Sequence, residues 1–248
     1  MAAVRERSRA LLEQGASAVV LVSDSIADAA FDLTARWQMR GQIRADDPTA
    51  GRPVSHQPPV IWVRANRLPE VSRGQRLHAL ISTESFVFPS ANVVAAVPGT
   101  DPAAGEEYVL FSAHHDHDGV RFPVDGDSIY NGADDNVSAC AALLAIGRAF
   151  VDHPGRRGAL FVWHGAEEKG LVGSRWYAAH PTVPPASIVA VLNADMIARN
   201  APDSAAILGM LPPHRNSTAL VEMALAANHG RVAGDIPPFV QVAGLPGA

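Results

Sequence analysis

Most of the residues able to do chemistry fall in short runs that each follow an apolar, strand-like segment. Ser112-Ala113-His114-His115-Asp116-His117-Asp118 follows the apolar stretch that begins at Tyr108. In extended backbone, His114 and Asp116 share one face while His115 and His117 share the other. A histidine two residues before a carboxylate can bind a metal through one ring nitrogen while the carboxylate orients the ring. Asn131-Gly132-Ala133-Asp134-Asp135-Asn136 opens a helical pattern, Gly165-Ala166-Glu167-Glu168-Lys169-Gly170 follows the apolar segment 159–163, and Asn193-Ala194-Asp195-Met196 follows 188–192. The glycines around the glutamate pair allow one carboxylate to face a metal and its neighbour to face the water on that metal. Taken singly, each run is also what a solvated loop or ordinary helix capping produces. Jointly they favour a metal site. Independent caps have no reason to place His, Asp, a Glu pair and a further Asp at consecutive β elements, and carboxylates this dense repel one another unless a cation neutralises them. Imidazole and oxygen donors without thiolates suit zinc, or less specifically manganese or cobalt.

The elements that must position these residues alternate along the chain. Strands are expected at 92–97, 108–113, 159–163 and 188–193, with helices at 136–152, 171–180 and 217–228. This alternation implies an α/β fold with a mixed, mostly parallel sheet flanked by helices in three layers. In such sheets ligand crevices form where strands end, which is where the runs lie. Ahead of this region the pattern changes at the prolines Pro48, Pro53, Pro58 and Pro59, and residues 1 to about 75 form a smaller α+β unit. It has expected helices at 4–15 and 26–40 and strands at 17–22 and 60–63, followed by an alternating, strand-like segment at 78–88.

Composition narrows the function classes. The chain of 248 residues has 20 Lys and Arg against 25 Asp and Glu, a formal net charge of -5 that argues against a surface built to neutralise phosphates, so no nucleic-acid partner is expected. The longest apolar run, 139–146, is far shorter than the roughly 20 residues a membrane-spanning helix needs, and no transmembrane segment is expected. Residues 1–12 hold three arginines without the apolar core of a secretory signal behind them. The single Cys140 lies in an apolar helical pattern, where a free cysteine acts as a small hydrophobe.

The four runs, in this order and spacing, resemble the co-catalytic dinuclear zinc aminopeptidases, relatives of glutamate carboxypeptidase and the transferrin receptor ectodomain. The similarity spans about residues 85–230 and includes Gly126-Asp127-Ser128-Ile129-Tyr130 ahead of the second run. It implies a zinc peptidase domain over 76–248, preceded by a partial protease-associated domain over 1–75. It further implies two zinc ions about 3.5–4 Å apart, with His114 and Asp195 as ligands of one, Glu168 as ligand of the other and Asp134 bridging both. Asp116 would orient His114, and Glu167 would be the general base. A strained, cis peptide is implied between Asp134 and Asp135. The implied substrate is a peptide with a free N-terminus, whose α-amine approaches the metals and acidic residues. Relatives with such an insert are often exported, so an extracytoplasmic or secreted full-length protein is expected. Oligomeric state and side-chain preference are left open.

One departure stands out. The resemblance implies a fifth ligand, a histidine late in the domain in a Ser-Asp-His stretch, whereas here Gly234-Asp235-Ile236-Pro237-Pro238-Phe239 precedes Ala243-Gly244-Leu245-Pro246 with Ile236 at the corresponding place. His214 and His229 are the nearest alternatives and read as surface residues. His115, His117 and His164 lie near the site without an assigned role. The chain is expected to be truncated, with a further strand and helix in a fuller gene product. A metallopeptidase is thus the first reading, an impaired homologue or fragment acting as a binding or structural module the second, and a one-metal amidohydrolase using His114, Asp134 and Asp195 the third.

Overall fold

The computed structural model describes residues 2–38, 43–46, 58–71, 86–199 and 217–231, with single positions 78, 84 and 207. The chain divides into two compact units, residues 1–89 and 90–248.

In the first unit, α1 (Ala2–Glu13) leads through a turn at Gly15 into β1 (Val19–Val22), which pairs in parallel with β2 (Val60–Val63). The expected helix at 26–40 is instead two, α2 (Ser25–Ala29) and α3 (Phe31–Gln38), separated at Ala30. Asp24 caps the first of them by accepting from the Ala27 N–H, and the Phe31 ring lies 4.9 Å from that of Trp62. Most of the expected strand at 78–88 falls outside the described residues, and 86–88 is not strand.

The second unit is an α/β arrangement on a mixed, mostly parallel sheet in the order β3-β7-β4-β8. Its strands are β3 (Val93–Val97), β4 (Tyr108–His114), β7 (Gly158–His164) and β8 (Ile188–Asn193). The edge strand β3 runs antiparallel to β7, while β4 is parallel to both β7 and β8. The central strand β7 is apolar at nearly every position because both of its faces are covered, the pattern expected of a buried parallel strand. Helix α4 (Ala139–Asp152) covers one face, where Ala139 and Leu143 meet Ala113, Ala159 and Phe161. Helix α5 (Val172–Ala179) brings Tyr177 to Leu110, Leu160 and Val162. Stacked rings of Phe111, Phe161 and Trp163 fill the first of these cores. Helix α6 (Thr218–Arg231) closes the described chain.

A hairpin absent from the sequence expectation, β5 (Gly119–Val124) and β6 (Asp127–Tyr130), rises between β4 and α4. Its turn is Asp125-Gly126, both with positive φ (51° and 89°), the two-residue hairpin geometry that the Asp-Gly pair favours. Helix α4 starts at Ala139, three residues later than expected, because Ala133–Ser138 forms a distorted π-type turn with non-helical backbone at Asp135 and Asn136.

Candidate metal centre

Register decides what meets at the carboxyl ends of the parallel strands. His114 at the end of β4 stands beside His164 at the end of β7, and Ser112 stands beside Asn193 at the end of β8. The Ser112 hydroxyl donates to Asn193 Oδ1 at 2.8 Å, tying the two ends together. The runs identified from sequence therefore open onto one place.

His114 is the best-buried donor there, with its side chain 5% exposed. Its Nδ1 lies 3.0 Å from the Asp116 carbonyl oxygen and 3.7 Å from its carboxylate, which leaves Nε2 facing Asp135 Oδ1 at 3.1 Å and Asp195 Oδ1 at 3.5 Å. Asp116 also reaches across to the β7 end. Its two carboxylate oxygens accept from the backbone N–H groups of Glu167 (2.8 Å) and Glu168 (3.2 Å). One aspartate thus fixes the ring of His114 and the turn that carries both glutamates.

The cis peptide falls between Asp135 and Asn136, one residue beyond the bond between Asp134 and Asp135 at which it was expected. The two aspartate side chains point to different places. Asp135 directs its carboxylate into the cluster. Asp134 lies outside both of the donor groups described below: its Oδ1 accepts from the Ala198 N–H at 2.9 Å, and its Oδ2 stands 3.6 Å from Arg199 Nε. Asn136 is buried and spans to the loop after β8, donating to the Ala194 carbonyl (3.2 Å) and accepting from the Met196 N–H (3.2 Å). It thereby holds the segment that carries Asp195.

Two groups of potential donors result, His114 with Asp135 and Asp195, and His117 with Asp135 and Glu168, the donor atoms within each group lying within 4.8 Å of one another. His117 Nδ1 is 2.7 Å from Glu168 Oε1 and 3.9 Å from Asp135 Oδ2. Strict alternation from His114 puts His117 on the opposite face. However, β4 ends at His114, so strict alternation need not carry on to position 117. His115 instead places its Nε2 2.9 Å from the Ala91 carbonyl oxygen. The signal that could have drawn attention to His117 is this strand end, which removes the period-two constraint.

The electrostatics suit a cation. Burial opposes a charge on His114, yet the Asp116 hydrogen bonds and the charges of Asp195 and Glu167 outweigh it and push its pKa up to about 9. Burial raises the Glu167 carboxyl above its ordinary value, reinforced by Glu168, Asp195 and Asp116 and opposed by His114. Burial likewise raises Glu168, with Asp118 and Asp135 adding to the effect. Glu168 Oε1 and His117 Nδ1 are buried atoms without a hydrogen-bond partner of good geometry. Desolvated carboxylates and an imidazole facing one another in this way fit a divalent ion bound by nitrogen and oxygen donors.

Among the described residues no helix is long and apolar enough to cross a membrane. A sequence model of the family described as Peptidase family M28 matches residues 92–241, the segment that contains every donor named above. No curated protein matches the chain.

Proposed function

Because the chain belongs to Peptidase family M28, whose metallopeptidases use co-catalytic zinc sites, we propose that it is a zinc aminopeptidase that removes N-terminal residues from peptides. The observation that carries this reading is the convergence of His114, Asp135, Asp195 and Glu168 beside Glu167 at the ends of three parallel strands. His114 and Asp195 would hold one ion and Glu168 the other. Asp135, with one oxygen toward each donor group, would bridge them in the place first given to Asp134. When bound, two such ions supply Lewis acidity toward the scissile carbonyl and lower the pKa of water.

The chain's own residues supply the rest. The Glu167 carboxylate takes the proton of the attacking water and returns it to the leaving amine, and its raised pKa brings it closer to the neutral range in which a general base works best. Asp116 is the positioning residue, through the Glu167 and Glu168 N–H groups and the His114 ring. The same acidic surroundings attract a substrate's free α-amine, which favours an aminopeptidase over an enzyme reading a C-terminal carboxylate. For residues 1–75 the proposal is a unit related to protease-associated domains. Its support is the parallel pair β1–β2 and its position ahead of the matched segment.

The test is zinc content and hydrolysis of short peptides and amino-acid anilides by the purified chain, beside Glu167→Gln. The variant should keep its zinc and lose roughly 10²–10⁴-fold in kcat. A folded chain that binds no zinc and releases no N-terminal residue rules the proposal out in favour of a binding module.

A further inference from the structure

His117 has no part in the assignment above, yet it occupies a donor's position. We infer that His117 is the imidazole ligand on the Glu168 side of the centre, an inference that rests on the metallopeptidase reading. Its Nδ1 faces Glu168 Oε1 at 2.7 Å and Asp135 Oδ2 at 3.9 Å, and both Nδ1 and Oε1 are buried without a well-formed hydrogen bond. An imidazole nitrogen left between two carboxylate oxygens is the arrangement expected when the three converge on a common cation.

The surroundings hold His117 in that place. Gly132 lies against it, and a Cβ at position 132 would stand 2.9 Å from His117 Cβ and 3.1 Å from its Cγ, so only glycine admits the ring this close to the Asp135 turn. On the other side Lys169 Nζ reaches Asp118 Oδ1 at 3.3 Å, joining the residue after His117 to the residue after Glu168. The centre then has matching halves, each with one imidazole, one carboxylate of its own and a share of Asp135. Position 236, where the resemblance implies a late histidine, is isoleucine and offers no donor.

The test loads metal-free protein with Co2+ and measures stoichiometry, affinity and the electronic spectrum for the full chain, His117→Ala, His117→Cys and the control His115→Ala. It is Nδ1, two bonds from Cβ, that faces the carboxylates, so a cysteine sulfur at position 117 reaches nearly the same point. The unaltered chain and His115→Ala should bind two ions. His117→Ala should keep one and bind the second on the order of 100-fold more weakly, at or beyond the upper end of what altering a ligand's supporting partner costs. His117→Cys should regain the second ion and gain a thiolate-to-cobalt charge-transfer band absent from the unaltered chain, which already contains Cys140. Two ions bound by His117→Ala with unchanged affinity overturn the inference, as does a His117→Cys spectrum without the new band. Fewer than two ions on the unaltered chain overturns the two-ion reading itself, and this inference with it.

Discussion

Of the adjacent aspartates at the mouth of α4, Asp135 turns one oxygen toward His114 and the other toward His117, while the Oδ1 of Asp134 accepts from the Ala198 N–H. Their substitutions should therefore behave differently. Asp135→Asn should reduce zinc content to one ion or none, whereas Asp134→Asn, whose amide oxygen still accepts from Ala198, should retain both. Elemental analysis after dialysis checks this, and equal losses in the two variants would remove Asp135 from its bridging place. The pair also marks a limit on what residue types can say. That His114, Glu168 and Asp195 would lie near one another is legible because each ends or closely follows a strand whose apolar run is unmistakable. Two neighbouring aspartates have the same chemistry, and only the backbone path around Asn136 decides which carboxylate turns inward. His117 was illegible for a related reason, since face alternation is informative only while the strand continues.

At the scale of elements, the segments best read from sequence are the continuous apolar strands. Strands β4, β7 and β8 lie close to their expected bounds because their apolar runs leave little choice of register or type. Less constrained elements were missed or merged: the β5–β6 hairpin, despite its Asp125-Gly126 turn, and the helix expected at 26–40, which breaks at Ala30. The start of α4 was displaced because the polar turn before it answers to the site and not to helix propensity. Asn136 is the side chain by which that turn holds the loop after β8. Asn136→Ala should cost about 1–3 kcal/mol, the usual penalty for leaving buried hydrogen-bonding groups unsatisfied. It should also weaken the ion shared by His114 and Asp195 more than the one near Glu168. Denaturant unfolding and metal competition together check both parts.

For the whole molecule, the charge balance at the proposed centre would make stability depend on pH and metal together. His114 has an ordinary pKa of 6.5 and is raised to about 9 in the folded, metal-free protein. A raised value means that folding favours the protonated form, so this contribution is fully present below about 6.5 and is lost as pH rises through about 9. The raised Glu167 and Glu168 carboxyls act in the same sense in their own range, since they too favour the protonated state. Chelator-treated protein should thus show a falling Tm between pH 6.5 and 9, while zinc-loaded protein, with His114 bound as neutral imidazole, should be flatter across that window. Parallel slopes for the two forms would count against His114 as a ligand. The register that sets His114 beside His164 and Ser112 beside Asn193 has a further consequence, in time. The donors come from separate segments between His114 and Asp195, and parallel pairing of this kind closes long loops before any contact rewards it, which makes it a slow step in folding. A slip of one residue in β4 would turn His114 to the opposite face. In the proposed centre, tight metal capture would therefore belong to the end of refolding, when β4, β7 and β8 have found their register, and a metallochromic dye would report completion of the sheet.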